Sequence, residues 1–559
     1  MLNRLVEFAR RIPNLPPPMY AALQFKWQIE LDNNGNYRGL TPLSDGQNPN
    51  RGLTIHSPNI KRTSAINPLL LADNAKYVLG RGADSPSQSP HFRAFLALAR
   101  ECAEATHEPS VEAVVRFLES HQANPQSFPE EMNDGDNICF RVETIRPTDL
   151  ESVRRFWVTK NLPRGNQDMQ CIVCGEIGPV DRVSPVAIKG LGRIGGQSSG
   201  MALVSANKEA FLSYGAEQAL IAPTCRTCGE AYGNALNYLI AKEGRHSIFI
   251  GPTCFVFWTR EDSEFNPATL ISQPTEEDVQ NLIESYRSGR EFHAMDVNAF
   301  YSLSISASAS RVVIRDWLET TVPAVQTSLA RWFALQKIAD TNGSDGKPFG
   351  VYDLAASLYR NPNKEMVANV PRVLVHCALQ GGPLPDWLLA QAIGRNRAEQ
   401  SITRNRAALI KAILLSQQET EEGYMERLDT TCNSPGYLCG RLLAELENAQ
   451  REAISPKATL VDRFYGAASA SPATVFGNLL RNSQAHMAKL RKDKPGAYRA
   501  IDARIQEITS KIREFPKTLN LKEQALFALG YYHQKAANRA DAIRHAANNS
   551  NENESEEEE

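Results

Sequence analysis

Two Cys-x-x-Cys-Gly segments, "CIVCGEIGPV" at 171–180 and "CRTCGEAYG" at 225–233, set four of the ten cysteines of this 559-residue chain in close pairs. A Cys-x-x-Cys turn lets two sulfurs approach one ion, and the glycine after it relieves the backbone; two such turns close the tetrahedral four-sulfur site that zinc prefers. Cys171, Cys174, Cys225 and Cys228 are therefore read as ligands of a structural zinc. The alternatives are unmetallated buried cysteines or a redox dithiol. Fifty residues separate Cys174 from Cys225, against about 15–20 in a compact ribbon, so the spacing predicts a small subdomain between the two ribs. A catalytic zinc would need an open coordination position and a nearby base, which the local sequence does not supply.

The length predicts two to four domains. With 61 Lys and Arg against 63 Asp and Glu, only the distribution of charge can inform. No apolar run reaches the roughly 18 residues of a membrane span. The opening "MLNRLVEFARRIPNLPPP" interrupts its apolar spacing with charges and so lacks the core of a signal peptide. The expectation is a cytoplasmic protein in a reducing compartment, where paired cysteines serve metals rather than disulfides.

The hydrophobic patterning divides the chain. Residues 1–121 mix strand and helix signals: Phe25, Trp27, Ile29 and Leu31 alternate before the turn residues Asn33-Asn34-Gly35, and Pro109-Ser110 opens a helix. The polar stretch 122–136 reads as a linker, and 137–345 as a β-rich part that contains the four cysteines. From 346 to 545 the spacing is helical. Tyr498, Ile501, Ile505, Ile508, Ile512 and Phe515 form one stripe over 497–515, and Leu438, Leu442, Leu443 and Leu446 form another, which predicts a helical bundle. The tail 546–559 has few apolar residues and ends in acids; it is expected to be disordered. The fold class expected is α+β: a mixed N-terminal region, a β-rich, zinc-ribbon-containing middle part, and an all-α C-terminal bundle.

"GLGRIGG" at 190–196 matches a dinucleotide-binding loop by spacing, but Gly196 and Gly200 break the helix that should follow. A loop packed closely on another backbone is the alternative reading. No phosphate-binding P-loop or His-Glu-x-x-His motif occurs. Two basic segments remain. In "GRNRAEQSITRNRAALIK", Arg395, Arg397, Arg404, Arg406 and Lys411 face a single acid, Glu399; between 476 and 514 nine basic residues, among them Lys489, Arg491 and Lys492, face four acids. Either segment is a solvated face or a track for nucleic-acid phosphates.

Five stretches together resemble one family, the large subunit of the type I-C CRISPR Cascade complex: "NPLLLADNAKYVLGRG", "VAIKGLGRIGGQSSGMALVSANKEAFLSYGAEQ", "YGNALNYLI", "GYLCGRLLAELENAQREA" and "LFALGYYHQKA". The resemblance runs from near residue 20 to near 537. It implies a non-enzymatic subunit of a crRNA-guided complex that reads the protospacer-adjacent motif in duplex DNA and aids strand separation. It further implies R-loop stabilisation and recruitment of the helicase-nuclease, with base pairing to the guide supplying the long sequence specificity.

Within "LLADNAKYVLG" the resemblance assigns motif reading to Asn74, whose amide suits acceptors on base edges. Lys61, Arg62, Lys76 and Arg81 are the positioning charges. The alternative for Asn74 is a helix cap. Arg395, Arg397, Arg404, Arg406, Lys411, Lys489, Arg491 and Lys492 become contacts for the displaced strand. The partners implied are the crRNA-containing Cascade subunits, target double-stranded DNA and its displaced strand, and the helicase-nuclease. A small subunit translated internally from about Met425 is also expected. The four cysteines are not general in the family, so zinc here is expected to be a local brace. The rival reading from another class is a zinc-dependent nucleic-acid-processing enzyme.

Overall fold

A computed structural model describes residues 1–44, 52–60, 66–162, 168–206, 208–212, 215–287, 298–418 and 425–557. The chain divides into two units, Met1–Ile188 with Ala202–Asn237, and Lys189–Met201 with Tyr238–Glu559. After an opening helix α1 (Leu2–Ala9), the alternating stretch of the first unit forms β1 (Tyr20–Phe25) and β2 (Trp27–Leu31). The expected turn follows: Gly35 sits at φ +83°, and a Cβ there would lie 2.5 Å from the Ala113 carbonyl oxygen, so glycine is required for close approach as well as for the turn. The chain continues through β3 (Tyr37–Pro42), β4 (Leu53–Pro58), β5 (Ala72–Asn74) and the single turn α2 (Ala75–Val78).

Two helices come next, α3 (Pro90–Thr106) and α4 (Pro109–Ala123), each opened by a proline whose missing N–H costs nothing in a first turn. The chain then returns as β6 (Asn137–Val142). The sheet order is β3-β2-β6-β5, and β2 and β6 run parallel with Ile29 opposite Phe140. A parallel pair needs a long crossover, and α3 and α4 lie within it. Ile29, Phe92, Phe95, Phe117, Phe140 and Trp157 fill the core. β1 pairs with β4, and the short strands β7 (Asp168–Gln170) and β8 (Ile177–Pro179) pair beside the first cysteines.

The segment 122–136 is not a linker between domains. Met132 is buried, Phe128 sits edge-on to Tyr37 and His121, and Asp136 pairs with Lys26 at 2.8 Å. Its polar residues are spent on local anchoring, so composition resembled a tether while the backbone lies inside the unit.

Helix α5 (Arg226–Ala241) runs from the second cysteine pair. In the second unit β9 (Ser247–Ile250), β10 (Thr253–Thr259), β11 (Ala299–Ser308) and β12 (Arg311–Thr321) make an antiparallel sheet in the order β12-β11-β10-β9. Phe255, Phe257 and Phe300 join one core with side chains from α6 (Val322–Gln336), α7 (Asn369–Gln380), α8 (Asp386–Glu399) and α9 (Arg404–Ser416). These strands therefore share a core with helices that the sequence reading assigned to a separate C-terminal part.

The final bundle comprises α10 (Pro435–Ile454), α11 (Val461–Ala470), α12 (Pro472–Asp493), α13 (Pro495–Lys511) and α14 (Leu521–Glu557). Both predicted stripes point inward: Leu438, Leu442, Leu443 and Leu446 are buried on α10, as are Ile501 and Ile508 on α13. α10 and α14 approach through glycines. A Cβ on Gly440 would lie 2.0 Å from the Phe527 carbonyl oxygen, and one on Gly530 2.2 Å from that of Tyr437. This explains two of the quoted phrases, "GYLCGRLL" and "LFALGYYHQ". The α14 backbone runs on to Glu557, through most of the tail expected to be disordered; extending a formed helix needs no new nucleus. The architecture is the expected mixed α+β fold with a helical C-terminal region.

Candidate functional site

The four cysteines come together. β7 and β8 form a rib that turns through Cys171–Gly175: the Cys171 N–H donates to the Glu176 carbonyl at 2.8 Å, and the Gly175 N–H to the Cys171 carbonyl at 2.9 Å. Gly175 takes a positive φ of 79°, the relief expected of a glycine after the knuckle. The second knuckle is built differently. Cys225 bridges Val180, and Cys228 lies in the first turn of α5, so Gly229 is helical; its role is space, since a Cβ would lie 2.7 Å from Pro185 Cγ.

All four sulfurs lie within 4.8 Å of one another, and Cys174 Sγ is 3.9 Å from Cys225 Sγ. Tetrahedral zinc with bonds of about 2.3 Å sets its sulfurs roughly 3.8 Å apart, so the cluster fits a closed metal site. Burial pushes the Cys171 thiol up, but N–H groups of Cys174, Cys225 and Val173 outweigh it and leave the thiol lowered to about 7, whereas burial and the neighbouring sulfurs push the Cys225 and Cys228 thiols up, as expected where four sulfurs crowd together. Among the described residues no histidine or carboxylate joins the cluster. Around it, Arg226 pairs with Asp181 at 2.9 Å and Glu230 accepts the Met19 N–H at 2.6 Å, which fixes the start of α5 within the first unit.

The Gly-rich loop at 190–196 has no flanking strand and helix of a dinucleotide site. Gly192–Ile194 is a single 3-10 turn, and Gly196 folds back, its N–H donating to the Leu191 carbonyl at 2.9 Å. A Cβ on Gly196 would lie 2.8 Å from that oxygen, so the glycine serves close packing.

Asn74 ends β5 and caps α2, its side-chain oxygen accepting the Tyr77 N–H at 3.4 Å. Lys76 is exposed on the same turn. Arg81 is turned inward, donating to the Pro129 carbonyl at 3.1 Å, with Asp134 3.7 Å away. Lys61 and Arg62 lie outside the described residues.

The two basic segments part company. On α8, Arg395 pairs with Glu399, and Arg397 donates to Gln524 at 2.7 Å. On α9, Arg404 donates to the Lys347 carbonyl at 2.6 Å and lies over the Phe349 ring. Arg406 is 3% exposed, bound to Glu399, Asn396 and the carbonyls of Ser357 and Ser401. Lys411 is 2% exposed and holds the carbonyls of Ala334, Leu335 and Lys337 at the end of α6. Arg406 and Lys411 are thus interior cations, a correction to their expected place on a surface track; their partners come from segments distant in sequence. On α12, by contrast, Lys489, Arg491 and Lys492 are exposed.

A polar network inside the bundle escaped the sequence reading. Arg441, 1% exposed, donates to Gln534 at 2.9 Å and to Glu507 at 2.6 Å. Glu447 is buried between Arg451, Tyr531 and Lys535. The available signal was charges set within apolar stripes, as in "GRLLAELENAQREA".

The family model of the CRISPR-associated protein Cas_Csd1 matches residues 2–538. The chain belongs to the CRISPR-associated Cas_Csd1 family. Cas_Csd1 is the family of the type I-C Cascade large subunit, a structural component of that complex, so the chain works with other Cascade components. No curated protein matches the chain. The Cas_Csd1 match takes in both units, the four cysteines and every basic position considered above. Among the described residues no helix is long and apolar enough to cross a membrane.

Proposed function

We propose that this large subunit recognises the protospacer-adjacent motif in duplex DNA, aids strand separation and R-loop stabilisation, and recruits the helicase-nuclease, itself breaking no bond. The observation that carries this reading is the family match over residues 2–538, which spans both units. Asn74, with Lys76 beside it, is the motif reader: its oxygen caps α2, while an amide N–H₂ remains the group suited to acceptors in a groove. Lys489, Arg491 and Lys492 hold phosphates of the displaced strand. The cysteine cluster binds a structural zinc, held by Cys171, Cys174, Cys225 and Cys228, which adds no chemistry and fixes the two ribs.

Asn74 separates reading from capping. Asn74→Asp keeps a capping oxygen and Asn74→Ala removes it, at about 1 kcal/mol of stability. If Asn74 reads the motif, both variants lose motif-dependent binding by the assembled complex while non-specific duplex binding stays. If only Asn74→Ala is impaired, the residue is a cap and the reader lies elsewhere.

The small-subunit reading is supported by the bundle itself. Beyond Met425, the core around Leu438, Leu446, Tyr465, Phe476 and Phe527 draws all its buried members from α10 onward. Silent recoding of the codons before Met425 is expected to abolish a short C-terminal product; an unchanged product sinks the internal start.

A further inference from the structure

The loops around the cysteine cluster keep apolar side chains out of any core. Ile172 is 55% exposed, Ile177 76% and Val183 64%, and Ile221 is also exposed. They are not frayed ends. The Ile172 N–H donates to the Pro223 carbonyl at 2.9 Å, the Asp181 N–H to that of Thr224 at 3.3 Å, and the Ala219 N–H to that of Arg182 at 3.0 Å. These backbone bonds and four cysteines hold the loops in place. Rigidly presented apolar side chains are the mark of an interaction surface.

Beside the cluster lies a cavity of about 490 Å³, lined by Leu15, Pro16 and Pro18 together with Cys174, Cys225 and Cys228. A pocket of this kind next to projecting apolar groups suits an anchor side chain from a protein partner.

Charge selects the occupant. Over 168–188 and 202–225, Asp181 is buried against Arg226 and Glu217 pairs with Arg182 at 2.6 Å, which leaves Asp168, Glu176 and Glu209 against Lys208. Four thiolates around a divalent ion add further negative charge. Such a surface repels a phosphate backbone and attracts cations.

We infer that the surface around the four-cysteine centre docks a protein subunit that presents an apolar anchor flanked by lysine or arginine, and does not touch nucleic acid. The inference rests on the reading of the chain as a Cascade subunit, which supplies the protein partners. It gives the cysteine centre a role at an assembly interface in addition to bracing.

The test is Ile172→Glu/Ile177→Glu in the full chain, added to crRNA-bearing subunits reconstituted without it. Association is expected to weaken about tenfold or more, and Ile172→Val/Ile177→Val is expected to restore it. In the wild type, assembly should protect the backbone of 171–179 and 217–223 from hydrogen exchange. Unchanged association of the Glu variant, or protection of these peptides by duplex DNA alone, overturns the inference. If the Glu variant loses zinc or melts early, Glu209→Lys/Glu217→Lys decides: weaker association at low salt supports the surface, and equal association rejects it. A wild-type chain that never joins the crRNA-bearing subunits sinks the Cascade reading itself, a result distinct from loss confined to these variants.

Discussion

Arg406 and Lys411 on α9 turn their charges into the second unit, whereas Lys489, Arg491 and Lys492 on α12 turn theirs to solvent. The first two sit among carbonyls, an amide and a carboxylate from four or more separate segments. A buried cation is tolerated only where every donor is met, so these residues organise the interior and have nothing left for a ligand. The α12 cations keep their full electrostatic reach, which is what counter-ion release on a nucleic-acid strand requires. Basic composition alone therefore does not mark a binding track; the packing environment of each charge does.

The largest effect expected from this contrast is in the interior. Arg406→Ala should cost about 3 kcal/mol, because it leaves buried Asn396 and the Ser357 and Ser401 carbonyls without their donor, while the exposed Glu399 keeps Arg395. Denaturant midpoints check this. A loss under 1 kcal/mol would mean that the site is wetter than its geometry indicates.

Lys411 gives a smaller effect with a pH signature. Burial pushes its amine down to about 8 from its usual 10.5. Between those values the unfolded chain binds the proton and the folded chain releases it, so stability rises with pH from about 8 towards 10. The gain should be about 1–3 kcal/mol and vanish in Lys411→Met. An identical pH profile in wild type and variant would break the comparison.

The cysteine centre supplies a test independent of either charge set. Cys225→Ser should release about one zinc per chain and lower the melting temperature, and metal content read by mass spectrometry checks both the metal and its stoichiometry. A metal-free wild type of unchanged stability would refute the structural zinc.

The smallest stability effect belongs to α12. Lys489→Gln/Arg491→Gln/Lys492→Gln should shift stability by no more than about 0.5 kcal/mol. It should nonetheless reduce the slope of log affinity against log salt by about 2 on single-stranded DNA. An unchanged slope would return these residues to a solvated face.

Local signals were readable where local chemistry decides. Each Cys-x-x-Cys pair, the α10 and α13 stripes, the proline-opened α4 and the Gly35 turn follow from spacing, because ligand pairing, helical period and positive φ are set within a few residues, whereas the meeting of the two pairs across fifty residues is the work of the fold. The parallel β2–β6 pair was not readable, nor was the burial of 122–136, because each depends on partners about a hundred residues away. Asn74 falls between: its cap is a short-range signal, while a reading role depends on the groove it meets.

What the sequence determined by itself is the set of elements and the chemistry each could carry, since backbone propensity, side-chain period and ligand type are properties of short segments. Only the tertiary structure decided which charges are spent. Whether Lys411 or Lys489 faces water turns on what lies across from it, and that neighbour is chosen by the packing of the whole unit.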